Sequence, residues 1–101
     1  MRAELIRSPR SGKKWRAIFT DEGGKKHHTD FGAAGMKDYT IYSASSPAVA
    51  SLKKEAYLKR HRVNEDWGKY DSAGALSRWV LWNKPTVEAS WRDYKARFGL
   101  S

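Results

Sequence analysis

Lys14-Trp15-Arg16-Ala17-Ile18-Phe19-Thr20 decides the reading of the fold. Trp15, Ala17 and Phe19 fall on one side, and Lys14, Arg16 and Ile18 on the other. A period of two with aromatic and β-branched content describes a half-buried strand. Asp21-Glu22-Gly23-Gly24 follows as a turn signal. Lys25 to Phe31 (KKHHTDF) then resumes extended structure, with His27, Thr29 and Phe31 sharing a face. The two stretches read as a β-hairpin. Arg2 to Ser8, bounded by Pro9 and the Ser11-Gly12 turn, supplies an earlier strand. Gly32 to Gly35 breaks the hairpin, and Asp38 to Ser43 reads as a further short strand, so residues 1–43 form a β-rich part.

Beyond it the period changes. Ser45-Ser46-Pro47 starts a helix over 47–63, with Ser as cap and Pro at the first helical position. On its projection Val49, Leu52, Ala56 and Val63 form the expected buried stripe. Asn64 to Tyr70 is a polar connector. Asp71 or Ser72 caps a second helix over 72–82, apolar nearly all round and so central to the core. Asn83 to Thr86 leads into a third helix over 87–98, where Val87, Trp91, Tyr94 and Phe98 recur at helical spacing. Gly99-Leu100 stops it. The expected fold is one α+β domain over 1–101: a small antiparallel β-sheet, an N-terminal hairpin or meander, followed by three packed α-helices.

The chain has 101 residues and a mass of 11.6 kDa, enough for one domain. Aromatics make up 13%, which argues against disorder. The absence of cysteine excludes disulfides, thiolate catalysis and Cys-based zinc sites. No apolar run reaches the roughly 20 residues of a membrane span. The N-terminus has no apolar signal-peptide core, so an intracellular or particle-packaged protein is expected. Lys and Arg number 20 against 11 Asp and Glu, a formal charge of +9. The surplus is spread along the chain, so it lies on the surface of the folded domain. Such a surface attracts phosphate polymers.

Two groups of residues carry that expectation. Lys53, Tyr57 and His61 recur at four-residue intervals opposite the apolar stripe of the first helix, flanked by Lys54, Arg60 and Arg62. The cations there would neutralise phosphates while Tyr57 and His61 stack on bases. Lys13, Lys14, Arg16, Lys25 and Lys26 cluster about the hairpin, where Arg16 faces Lys26 or His28 across the strands and an anion would relieve the repulsion. The bland readings are a solvated helix face and lysines that protect a sheet edge. His27-His28 points to opposite faces of a strand and cannot chelate one ion. A nuclease built from His28, Asn64 and His61 would need a ββα cradle that the long connector denies. No other catalytic pattern occurs, and no metal or cofactor is expected.

Phe31-Gly32-Ala33 with Gly35, Asp38-Tyr39-Thr40, Tyr57 with Arg60-His61, and Trp67 follow one another along the chain. With the run Ser72-Ala73-Gly74-Ala75-Leu76-Ser77-Arg78-Trp79-Val80-Leu81-Trp82-Asn83-Lys84-Pro85-Thr86, this order resembles a small basic uncharacterised protein family of giant (nucleocytoplasmic large) double-stranded DNA viruses of algae and protists. The resemblance runs from Lys14 to Phe98. Tyr42 to Leu52 departs from it, since that segment is shorter and more acidic in the family. The family has no established activity, so the resemblance implies a viral setting and little chemistry.

Together these readings lead to a non-enzymatic nucleic-acid-binding protein, viral and carried in the virion or in the host nucleus or cytoplasm. It would contact the phosphate backbone with little sequence preference, DNA ahead of RNA. The alternative is a viral structural protein, a minor capsid or cement component, docking through exposed aromatics such as a tryptophan of the Trp67, Trp79, Trp82 and Trp91 set.

Overall fold

Each of the three N-terminal extended stretches becomes a strand in the computed structural model, which describes residues 1–101. β1 (Arg2–Arg7), β2 (Lys13–Thr20) and β3 (Lys26–Ala33) form an antiparallel sheet in the order β1-β2-β3. The alternation in β2 sets the faces. Ala17 and Phe19 are fully buried, as is Phe31 on β3. Opposite Ala17 lie Leu5 on β1 and Thr29 on β3; opposite Phe19 lie Ala3 and His27. A one-residue slip would send all of these to the wet side, so the pattern fixes the register.

Four helices follow, where three were expected. α1 (Tyr39–Ser45) replaces the short strand read over Asp38 to Ser43. Tyr39, Thr40, Ile41 and Tyr42 are all aromatic or β-branched and favour a strand, but Asp38 overrides them. Its carboxylate accepts from the backbone N–H of Thr40 at 2.9 Å and of Ile41 at 3.2 Å, which starts a helix. Ser46 then caps α2 (Pro47–His61), with Pro47 in its first turn. α3 (Ala73–Leu76), capped by Ser72, runs directly into a π-helical turn (Ser77–Leu81). The Trp82 N–H donates to the Ser77 carbonyl at 3.1 Å, five residues back. α4 (Val87–Phe98) keeps its expected bounds, from the Thr86 cap to Gly99 in the left-handed region.

The π-helical turn and α4 close the apolar face of the sheet. Leu76, Val80 and Tyr94 are fully buried beside Phe19 and Phe31. Burying side chains of this size stabilises by about 1.5–3 kcal/mol each. Tyr94 also donates its hydroxyl to the Tyr70 carbonyl at 2.6 Å, so the polar tip of this core residue is satisfied.

α2 is turned relative to its expected orientation. Val49, Leu52 and Val63 are 42%, 67% and 77% exposed, and Val63 lies beyond the helix end. Ala50 and Tyr57 are the buried residues. Flat stacking decides this. Tyr57 lies on Trp82 with ring centroids 4.4 Å apart and planes 4° from parallel. One turn earlier, Lys54 Nζ donates to the Asn83 carbonyl at 2.8 Å. An aromatic plate and a carbonyl thus anchor the helix, and the aliphatic stripe faces outward.

Gly32 lies within β3 at φ +80°. A Cβ there would meet Leu81 Cδ1 at 2.9 Å and the Lys14 side chain at 3.3 Å. Gly32→Ala therefore combines left-handed strain of about 1–2 kcal/mol with a collision against a core leucine. We expect a loss of about 2–3 kcal/mol in urea unfolding; an unchanged midpoint would contradict this packing.

Candidate functional site

α1 and α2 stand beside the end of the sheet and leave a cleft of about 540 Å³. That volume is typical of a ligand site. One wall carries Lys13, Lys14, Ala33, Met36 and Lys37. α2 supplies Lys53, Ala56, Arg60 and His61 from the other side, and Tyr57, Leu81 and Trp82 lie between.

The charges in the cleft fall into two sets. Lys14 Nζ sits 2.7 Å from the Asp38 carboxylate, and His61 Nδ1 lies 3.6 Å from Glu65. Lys14 is thus paired, and His61 stands next to a carboxylate without a hydrogen bond to it. Lys13, Lys37, Lys53 and Arg60 have no carboxylate within salt-bridge distance. Lys37 and Lys53 both approach the ring of Tyr42, at 5.9 and 5.7 Å from its centroid. Four uncompensated cations around one hollow repel one another, and an anion entering it lowers that energy.

The aromatic groups form a column. His61 stacks on Tyr57 at 4.2 Å and 24°, and Tyr57 on Trp82 at 4.4 Å and 4°. Two nearly parallel partners at such distances occupy the two faces of the Tyr57 ring. Burial pushes its phenol pKa up to about 12, with Glu65 adding to the shift. Tyr57 therefore stays protonated and is closed to a ligand, contrary to the expectation that it stacks on bases. His61 ends the column with its side chain 40% exposed.

The structure divides the other expected residues. Lys13, Lys53, Arg60 and His61 meet in the cleft. Lys14 lines it but is bound to Asp38. Arg16 is opposite Asp30 in the register, not Lys26 or His28, and grips it with two hydrogen bonds of 2.9 and 3.1 Å. The expected cross-strand repulsion at Arg16 is therefore absent, and its guanidinium is committed. Lys54 is held by Asn83 and lies over Tyr39 at 4.7 Å. Lys26 pairs with Thr20 at one end of the β2–β3 ladder while Lys13 pairs with Ala33 at the other, so Lys25 and Lys26 are remote from the cleft. Arg62 shares a separate depression with Glu55 and Lys59. Lys37 and Tyr42 were missed. The strand reading hid them, and recognising Asp38 as a helix cap would have brought both to the base of α1.

The tryptophans do not form an exposed patch. Every Trp, Tyr and Phe is buried or only partly exposed. Arg78 and Arg97 lie over Trp79 at 4.1 and 3.7 Å, Arg78 lies over Trp67 at 5.5 Å, and Trp82 is covered by Tyr57. The apolar helix is thus partly covered from within the protein, and each tryptophan of the set stays partly exposed.

Asp30 carries a pH signature. The Arg16 hydrogen bonds, with one from Ser8, hold its pKa down at about 2 despite burial. A carboxylate depressed from about 3.9 stabilises the fold fully above that value and loses the contribution as pH falls toward 2. Asp30→Asn should flatten the decline in unfolding midpoint between about pH 4 and 2. An equally steep decline in the variant would show that the Arg16 pairing is not its source.

The model of a family of unknown function (DUF5754) matches residues 3–44. That segment spans the sheet and nearly all of α1, and so includes Lys13, Lys14, Lys37, Asp38 and Tyr42 of the cleft. The searches of curated proteins and of solved structures return no match. The chain is thus similar over residues 3–44 to a family whose function is unknown.

Proposed function

We propose that this protein is a non-enzymatic nucleic-acid-binding protein whose binding surface is the cleft between the sheet end and α2. The observation that carries this reading is the convergence of Lys13, Lys37, Lys53 and Arg60 without acidic partners. Lysine and arginine side chains of this kind contact backbone phosphates, which gives affinity with little sequence preference. The surplus of +9 adds long-range attraction for any polyanion. The resemblance of the Ser72–Thr86 run to proteins of giant DNA viruses supports a viral setting and DNA as the polymer.

The test is a comparison of variants by fluorescence anisotropy on a labelled oligonucleotide. Replacing Lys13, Lys37, Lys53 and Arg60 together by Ala should weaken binding at least a hundredfold near 0.1 M salt, given four lost phosphate contacts. The Lys25→Ala, Lys26→Ala pair lies outside the cleft and should cost only a few-fold. Equal losses in the two variants would mean that general positive charge, and not the cleft, does the binding.

A further inference from the structure

Resting on that reading, we infer that the cleft takes a single strand and that one unpaired base extends the internal aromatic column by stacking on His61. Three observations lead there. The column Trp82–Tyr57–His61 is parallel to within 4° at one step and 24° at the next, and its last ring lines the cleft. The inner face of His61 is taken by Tyr57, while the side chain as a whole is 40% exposed. Its orientation is set on the inside by stacking on Tyr57, so a base meets a ring already in place. Every base has a π-face, so this contact tolerates any sequence.

The surroundings suit a strand better than a duplex. The free cations stand on both walls, Lys13 and Lys37 on one and Lys53 and Arg60 on the other, so a chain lying between them meets charge on two sides. A duplex keeps its bases stacked inside and offers none to His61. Nor is α2 a uniformly basic helix for a groove: its exposed residues mix Lys53, Lys59 and Arg60 with Val49, Leu52 and Glu55. Grooves are read by helices whose outer face is polar and cationic.

The experiment measures anisotropy of a labelled single-stranded oligonucleotide and of the duplex of the same length, for the unaltered protein, His61→Ala and His61→Phe. The single strand should bind at least tenfold more tightly than the duplex. His61→Ala should lose about tenfold on the single strand and leave the salt dependence unchanged, since no phosphate contact is removed. His61→Phe should restore most of the loss, and urea unfolding of both variants separates this from damage to the fold. Equal affinity for strand and duplex, or indifference to His61→Ala, would overturn the inference while the cleft reading stands. Absence of binding to either would overturn both.

Discussion

Tyr57→Ala is expected to destabilise the protein by about 3 kcal/mol or more, while Tyr57→Phe should stay within about 0.5 kcal/mol. The ring lies between Trp82 and His61 and is 7% exposed, so truncation opens a void against two aromatic neighbours. The hydroxyl is not among the buried polar atoms left without a partner and holds no other group, so its removal strands no partner. α2 packs chiefly on α1 and otherwise reaches the body through Tyr57 and Lys54. Losing the plate should therefore release one wall of the cleft and weaken nucleic-acid binding together with stability. Urea unfolding of the two variants checks the claim. A cost below about 1 kcal/mol for Tyr57→Ala would mean that something else holds α2.

Arg78→Ala should cost about 3 kcal/mol, and Arg78→Lys should recover less than half of it. The guanidinium lies against Trp79 and Trp67 and donates from Nη1 to the Trp82 carbonyl at 2.6 Å, at the end of the π-helical turn. Its Nε is buried with no oxygen partner, so indole faces surround that edge. Burial, and then the nearby Arg97, lower its pKa, which records how far this charge has left water. A flat, delocalised cation tolerates that environment, whereas a compact ammonium does not stack on two indoles. Each cation–π contact is worth about 0.5–2 kcal/mol, and a charged hydrogen bond about 1.5–3. Losing the arginine should also relax the wide turn, visible in the near-UV spectrum of Trp79 and Trp82. If Arg78→Lys unfolds at the midpoint of the unaltered protein, positive charge alone is sufficient and the flat stacking on Trp67 and Trp79 adds nothing.

The fold was readable where one local signal ruled. Period two in Lys14–Thr20 gave β2, and the buried residues Ala17 and Phe19 lie on the face it marks. Cap residues located α4 almost to the residue. Misreadings arose where tertiary contacts outweighed periodicity. Asp38 turned an aromatic and β-branched segment into α1 through its side-chain hydrogen bonds and its 2.7 Å pair with Lys14, a residue 24 positions earlier. α2 followed one aromatic plate against its own aliphatic stripe, because a ring face on Trp82 offered more contact than Val49 or Leu52 had available. The same rotation reversed the role of Tyr57 and left His61 at the cleft. Site residues suffered further from pairing invisible in one dimension. Arg16, Lys14 and Lys54 look like free cations in the sequence, and each has its partner from a distant segment.

The central claim is that four unpaired cations in one cleft, and not the overall charge, hold nucleic acid. The most direct measurement is the salt dependence of single-strand affinity between about 0.05 and 0.2 M. Four phosphate contacts predict a slope of log K against log salt near −3 for the unaltered protein, and a much shallower slope once Lys13, Lys37, Lys53 and Arg60 are Ala. A slope that survives the fourfold substitution, or no binding at the lowest salt, would contradict the account.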